Sequence, residues 1–245
     1  LKEEGVKELF IKTKYFMLKK INCKKNNNFH EFKDVLFING CSLPHPQRYR
    51  VDHQIEQLEA YGISCSRINY EDLNLNLIKY YRAFVFYRCP IIPVIESFIK
   101  EAKDSNKTIF YDIDDLVFDL KYTNQIRYLD SLNKQELDLY KDGVKRMGQT
   151  LKLCDYGITT TKRLQKEMSK YLKDVVINRN VASEEMIKYS EKALKSVSFL
   201  DENRIVMGYL SGSITHNDDF KLIMPAIIKL MEMYNNLYLQ IVGLL

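Results

Sequence analysis

From residue 34 onward, short apolar runs rich in Val, Ile, Phe and Tyr alternate with stretches whose apolar residues recur every three or four positions. The runs Asp34–Asn39, Ile63–Ile68, Ala83–Tyr87, Thr108–Tyr111, Tyr156–Thr160 and Val175–Ile177 read as strands. Between them, helical spacing covers about Tyr49 to Tyr61, a segment after Pro90 through Lys103, residues 134–153 and Lys162–Leu172. Strands that are uniformly apolar and separated by helices cannot pair as hairpins. They predict a parallel sheet with helices on both faces, joined by right-handed crossovers. Gly62 after the first helix is a helix-stop signal, and Pro44 to His53 reads as a loop before it.

Ser183 to Asn203 interrupts the rhythm with a charged, helical stretch. Arg204–Leu210 then restarts a strand, about Asp218 to Met233 a helix, and Leu237–Val242 a further strand. One β-α-β unit cannot bury both faces of its own sheet. The organisation predicted is therefore a helical linker at 1–33, a Rossmann-like domain at 34–182, an interdomain linker at 183–203 and the truncated start of a second Rossmann-like domain at 204–245. The first residues, Leu1-Lys-Glu-Glu-Gly5, contain neither an initiator Met nor a signal peptide, so a start inside a longer protein, or a processed chain, is expected.

Composition narrows the classes. Formal net charge is +5, short of a dedicated nucleic-acid domain but compatible with a phosphorylated ligand or an anionic membrane surface. The five cysteines are widely spaced, with neither C-x-x-C nor zinc-ligand spacing, and read as reduced, buried thiols. No run has transmembrane length. The first 33 residues carry Lys-rich helical spacing (Val6, Leu9, Phe10, Tyr15, Phe16), a peripheral helix or a membrane-surface one.

Three constellations carry chemistry. Phe110-Tyr-Asp-Ile-Asp-Asp-Leu-Val-Phe-Asp119 sets four carboxylates immediately after a strand, at the edge where open α/β sheets bind ligands. An apolar strand followed by Asp-x-Asp also opens haloacid-dehalogenase-type phosphatases. There the first Asp attacks phosphorus and the second serves as acid beside Mg²⁺, roles that would fall to Asp112 and Asp114. Second, Arg48, Arg50 and His53 precede a helix and can aim cations at phosphate or carboxylate, or pair with Asp114 or Asp115 as a salt bridge. Third, Ser211, Gly212 and Ser213 lie between strand and helix, where backbone N–H groups can cradle a phosphate. A two-metal nuclease is not supported, because the four His (30, 45, 53, 216) suggest no common site.

The order of the two units, with Arg48-Tyr-Arg-Val51, Tyr111-Asp-Ile-Asp-Asp-Leu-Val-Phe118, Cys154-Asp-Tyr-Gly-Ile-Thr-Thr160, Val176-Ile-Asn-Arg-Asn180 and Gly208-Tyr-Leu-Ser-Gly212, resembles GT-B glycosyltransferases of the large family 4 type (group 1), in the cell-surface-polysaccharide branch. Where that family commonly has a Pro-Asn-Gly turn, this chain has Arg179-Asn180-Val181. The resemblance covers most of residues 34–245. It implies transfer of a sugar, with retention, from a nucleotide-sugar donor to a glycan or lipid-linked acceptor. The donor is a substrate, so no cofactor and no metal are implied. Acceptor contacts would fall near Arg48, Arg50, His53, Asp114 and Asp115, and the donor diphosphate would meet Ser211, Gly212 and Ser213. The resemblance further implies a cytoplasmic protein at the inner membrane surface, without nucleic-acid partners. The family's paired-glutamate donor motif lies further along than Leu245, so these residues alone are expected not to transfer sugar. A non-catalytic α/β scaffold module is the alternative from another class.

Overall fold

The computed structural model describes residues 31–41, 44–196, 203–211 and 217–243. The first 30 residues, with their expected amphipathic helix, lie outside this set. Six strands, β1 (Lys33–Asn39), β2 (Cys65–Asn69), β3 (Tyr81–Tyr87), β4 (Thr108–Asp112), β5 (Tyr156–Thr159) and β6 (Asp174–Ile177), form one sheet in the order β2-β1-β3-β4-β5-β6. Every neighbouring pair is parallel. The chain reverses its direction of travel across the sheet between β1 and β3. An open α/β sheet leaves its ligand crevice at such a reversal, outside the carboxyl ends of the strands. The architecture is Rossmann-like.

Both faces carry helices, unequally. Alternation along each strand sends Leu36, Ile38, Phe84, Phe86, Ile109 and Tyr111 to one face, all fully buried. There they pack with Ile95, Phe98, Ile99 and Ala102 of a helix Pro93–Asp104 and with Leu151, Leu164 and Met168 further on. Phe84 and Phe98 meet edge-on, with centroids 4.8 Å apart. The opposite face shows Phe37 and Val85, with Phe110 and Ile158 partly buried beside them. It is covered by a single helical segment that joins β1 to β2.

That segment begins earlier than its sequence suggests. Helix α1 (Pro44–Gln47) runs directly into a π-helical turn, Arg48–Asp52, and then into α2 (His53–Ala60). The expected loop at Pro44 to His53 is therefore helical. Pro44 and Pro46 are tolerated because N–H groups in the first turn have no intrahelical acceptor to lose. The stop at Gly62 is as expected: its φ is +77°, and its N–H donates to the Glu59 carbonyl at 2.9 Å. Among the described residues the remaining α-helices are α3 (Pro93–Asp104), α4 (Lys134–Leu153), α5 (Lys162–Met168), α6 (Glu184–Ser196) and α7 (Asn217–Met233). Asn133 and Glu136 close a reciprocal capping box at the start of α4.

Strands β7 (Ile205–Ser211) and β8 (Leu237–Gly243) pair in parallel as a separate two-stranded sheet, with α7 between them in sequence. No residue of β7, α7 or β8 is buried among those described. Cys65, Cys89 and Cys154 are buried free thiols, and burial pushes each thiol upward. Among the described residues no helix is long and apolar enough to cross a membrane.

Candidate functional site

The carboxyl edge at the β1–β3 reversal is built first from backbone. Gly40, just past β1, donates its N–H to the Tyr87 carbonyl at 2.8 Å. A Cβ at position 40 would stand 2.6 Å from the Arg88 oxygen and 2.6 Å from the Cys89 Cα, so only glycine permits this approach. The buried Asn39 fixes the turn that follows. Its Nδ2 donates to the Cys41 carbonyl at 2.9 Å and to Gln47 Oε1 at 2.8 Å, while its Oδ1 accepts from Cys41 N–H at 3.1 Å.

The π-helical turn then delivers Arg50 beneath this edge. Such turns are single-turn insertions that re-aim the side chains around them. Arg50 is fully buried, and its fork meets Asp112 at the end of β4: Nε donates to Oδ1 at 2.9 Å and Nη2 to Oδ2 at 2.8 Å. Gln54, one helical turn on, donates a further bond to Asp112 Oδ2. The remaining guanidinium nitrogen, Nη1, donates to the Asn178 carbonyl at 2.6 Å and to Asn180 Oδ1 at 3.1 Å. Burial pushes the Asp112 carboxyl up to about 6, against the lowering by Arg50 and Gln54.

Asp114 and Asp115 turn to a different cation. Arg88 follows β3, and its Nε and Nη2 lie 2.9 and 2.8 Å from Asp114 Oδ1. Its Nη2 lies 3.7 Å from Asp115 Oδ2. Tyr87 also donates its hydroxyl to Asp114 at 3.2 Å. Burial keeps the Tyr87 phenol protonated by moving its pKa well upward. Burial works against the Arg88 charge, but Asp114 outweighs it and holds the guanidinium above its ordinary range. Arg88 sits at φ +46°, a conformation that costs a non-glycine residue about 1 kcal/mol or more. Strain of this kind is kept where the surroundings over-determine it. Asp115 is the open acid of the group, with 59% of its side chain exposed.

His53 starts α2 and is 95% buried at 5% exposure. Its Nδ1 lies 2.9 Å from the Val181 carbonyl. A carbonyl can only accept, so Nδ1 carries a hydrogen and donates it to Val181. Nε2 is buried and has no hydrogen-bond partner among the described residues. The Tyr49 ring stands edge-on to the imidazole at 5.1 Å.

Of the sequence-derived residues, Arg50 and His53 both hold the segment after β6, while Asp114 and Asp115 meet Arg88. The salt bridge expected between Arg50 and Asp114 or Asp115 is replaced by Arg50–Asp112 and Arg88–Asp114. Arg50, fully buried and committed to protein partners, does not itself face solvent, whereas Arg48 is exposed on the π-helical turn. The arrangement of Asp112 does not favour a phosphatase nucleophile. In-line attack needs a free carboxylate oxygen with access to phosphorus, and both oxygens of this fully buried group are bonded. Ser211 closes β7, while Gly212 and Ser213 lie outside the described residues. Among the described residues no three His, Cys, Asp or Glu side chains converge as a metal would require.

Arg88, Gln54, Asn39, Asn178 and Asn180 were not picked out as site residues by the sequence reading. A signal existed for Arg88, because a charged residue directly after the apolar run Ala83–Tyr87 marks a strand's carboxyl end. The parallel register that sets Tyr87 beside Asp112 brings that end to the acidic turn.

No family model matches the chain, and no curated protein sequence matches it. Among solved structures the chain is similar to Medicago truncatula UGT71G1 complexed with UDP-glucose, at 6% identity over 87% of this chain and 72% of that chain, with a TM-score of 0.36. Similarity at that level says nothing about substrate.

Proposed function

We propose that the chain is the acceptor-side domain and part of the donor-side domain of a GT-B glycosyltransferase that uses a nucleotide-sugar donor. The observation that carries this reading is the pairing of a polar carboxyl edge with a second parallel β-α-β unit. The first sheet ends in an acidic turn, with a buried histidine nearby whose Nε2 has no hydrogen-bond partner among the described residues. The chain leaves that same edge through Asn178–Ser183 and goes on to form β7, α7 and β8. Two α/β units in tandem leave a cleft between facing carboxyl edges, where two substrates can meet.

In this reading the acceptor, a glycan or lipid-linked glycan of surface-polysaccharide synthesis, lies against Arg48, His53 and Asp115, with Asp114 and Arg88 behind. Sugar hydroxyls donate to carboxylates, the acceptors that Asp115 and Asp114 supply at this edge. The donor diphosphate lies at Ser211–Ser213 and the start of α7, where backbone N–H groups and the helix dipole favour negative charge. Arg50 orients Asp112 and the linker without touching substrate. Departure of the nucleoside diphosphate would be assisted by basic groups and backbone N–H donors.

The test is binding. Saturation-transfer NMR on the chain extended past Leu245 to include the donor half, with a panel of uridine, guanosine, cytidine and thymidine diphosphate sugars, is expected to find one series that binds, competed by its own nucleoside diphosphate. Absence of binding across the panel at millimolar concentration, or Mg²⁺-dependent turnover of p-nitrophenyl phosphate lost in Asp112→Asn, would sink the proposal.

A further inference from the structure

The helical segment between β1 and β2 does more than cover a sheet face: it grips the strand of chain that leaves the domain. Arg50 Nη1 donates to Asn178 O and Asn180 Oδ1, at 2.6 and 3.1 Å. His53 Nδ1 bonds to the Val181 carbonyl at 2.9 Å. Gln57 Oε1 accepts from Asn178 Nδ2 at 3.0 Å, and Glu56 Oε1 accepts from the Glu184 N–H at the start of α6, at 2.9 Å. Four side chains on one short segment thus hold residues 178–184, more than a hundred positions away in sequence.

Of these four, Arg50 alone also holds Asp112. A buried ion pair is a poor source of stability, since desolvating both ions consumes most of the attraction. Its best-attested use is to fix register or to switch. Here the guanidinium is divided between a carboxylate at the ligand-facing edge and two acceptors on the exit segment. We propose that Arg50 is a latch, coupling the charge and contacts of Asp112 to the position of the linker 178–184 and so to the unit that follows it. While Asp112 is charged, Arg50 stays in its buried seat and the linker is held. When Asp112 is neutralised or drawn onto another partner, a buried cation without a counter-ion is left. Arg50 relieves this by moving toward water, and it drops Asn178 and Asn180 as it goes. A second route exists through Thr159, whose hydroxyl donates to the Ile113 carbonyl at 2.7 Å and whose carbonyl accepts from the Asn178 N–H at 2.7 Å. It contains no charge and does not respond to Asp112.

The latch is testable without a ligand, by hydrogen exchange on the whole chain. Asp112→Asn is expected to raise exchange at residues 178–187 about tenfold, while α3, on the other sheet face, stays within about twofold of wild type. Coupling between sites is reciprocal. Asn180→Ala, which touches only the linker side, must therefore move the Asp112 titration followed by carboxyl ¹³C NMR, upward by about 0.3 units or more. The Thr159→Val variant is expected to leave that titration unchanged. The latch is overturned if folded Asp112→Asn leaves residues 178–187 at wild-type exchange, or if exchange rises equally in α3. Should Asp112→Asn not fold, the Asn180→Ala arm decides alone, and an unmoved Asp112 titration overturns the latch. Nucleotide-sugar binding enters neither arm, so this inference and the proposed function fail separately.

Discussion

Arg50 and Asp112 are 62 positions apart and meet as a two-pronged, fully buried pair, with Nε on one carboxylate oxygen at 2.9 Å and Nη2 on the other at 2.8 Å. Both bonds come from one rigid plane, which lysine could not reproduce. Arg50→Lys is therefore expected to behave as a loss rather than a conservative change. It should destabilise the chain by about 3 kcal/mol, as when one partner of a buried pair is removed. Urea denaturation measures this, and a loss under about 1 kcal/mol would show that the fork geometry is not required.

The titration of Asp112 gives a second expectation. Its folded carboxyl holds a proton up to about 6, whereas an unfolded aspartate releases it near 4. Between those values the folded state binds the extra proton. This contribution therefore favours folding at low pH and is withdrawn as pH rises from about 4 to about 6. Asp112→Asn lacks the titrating group. The stability difference between wild type and Asp112→Asn should change through that window and level off above about pH 7. A flat difference from pH 4 to 7 would place the titration elsewhere.

Arg88 separates backbone strain from side-chain contacts. Arg88→Ala and Arg88→Gly both delete the guanidinium from Asp114, but only glycine adopts φ +46° without cost. The glycine variant should be the more stable of the two by about 1 kcal/mol, with both below wild type. Equal stabilities would mean that this conformation relaxes once the side chain is gone.

Two glycines make an opposed pair. Gly40→Ala forces a Cβ against main-chain atoms of Arg88 and Cys89 and should cost about 3 kcal/mol, the upper range for overpacking. Gly143→Ala, inside α4 with nothing within 4 Å of its Cβ position, should stabilise by about 0.5–1 kcal/mol. Thermal melts of both variants distinguish a fold that needs glycine at the sheet edge from one that merely tolerates it.

A surface network on the far side responds to acid. Asp119 accepts from Tyr171 and pairs with Lys121, and Glu167 accepts from Tyr122 and Lys170. Burial opposes ionisation of Asp119, but the bonds from Lys121 and Tyr171 prevail and hold it at about 2. Lys170, then Tyr122, bring Glu167 to about 2. Both folded values lie below the unfolded ones. The stabilisation is thus complete above about pH 4.5 and is lost as pH falls toward 2. The double variant Asp119→Asn, Glu167→Gln should show a shallower acid-unfolding curve than wild type in that window, and an unchanged curve would remove the network from the acid response.

Much of the sheet could be read in the sequence because parallel strands, covered on both faces, are uninterrupted apolar runs, and Ala83–Tyr87 and Thr108–Tyr111 look like nothing else. The helical start at Pro44 was hidden because Pro and His commonly signal a loop, and only a first-turn position makes them acceptable. The site was half legible. Acids after β4 and cations after β1 both follow strands at the carboxyl edge, yet the choice of partner depended on facing. Phe110 points to the face covered by α2, so Asp112, two residues on, points there too, toward Arg50. Asp114 lies past the strand, where the alternation no longer applies, and Arg88 reaches it from the neighbouring turn. A π-helical turn has no sequence signature comparable to a cap or a turn glycine, so the delivery of Arg50 could not be foreseen.

The contact of Gly40 with Arg88 and Cys89 divides the edge into a seam and two banks. At the seam main chain meets main chain, and position 40 has no room for a side chain. Arg48 stands on one bank and Asp115 on the other, both exposed and neither packed in the core. Either can therefore be exchanged without asking the sheet beneath to refold.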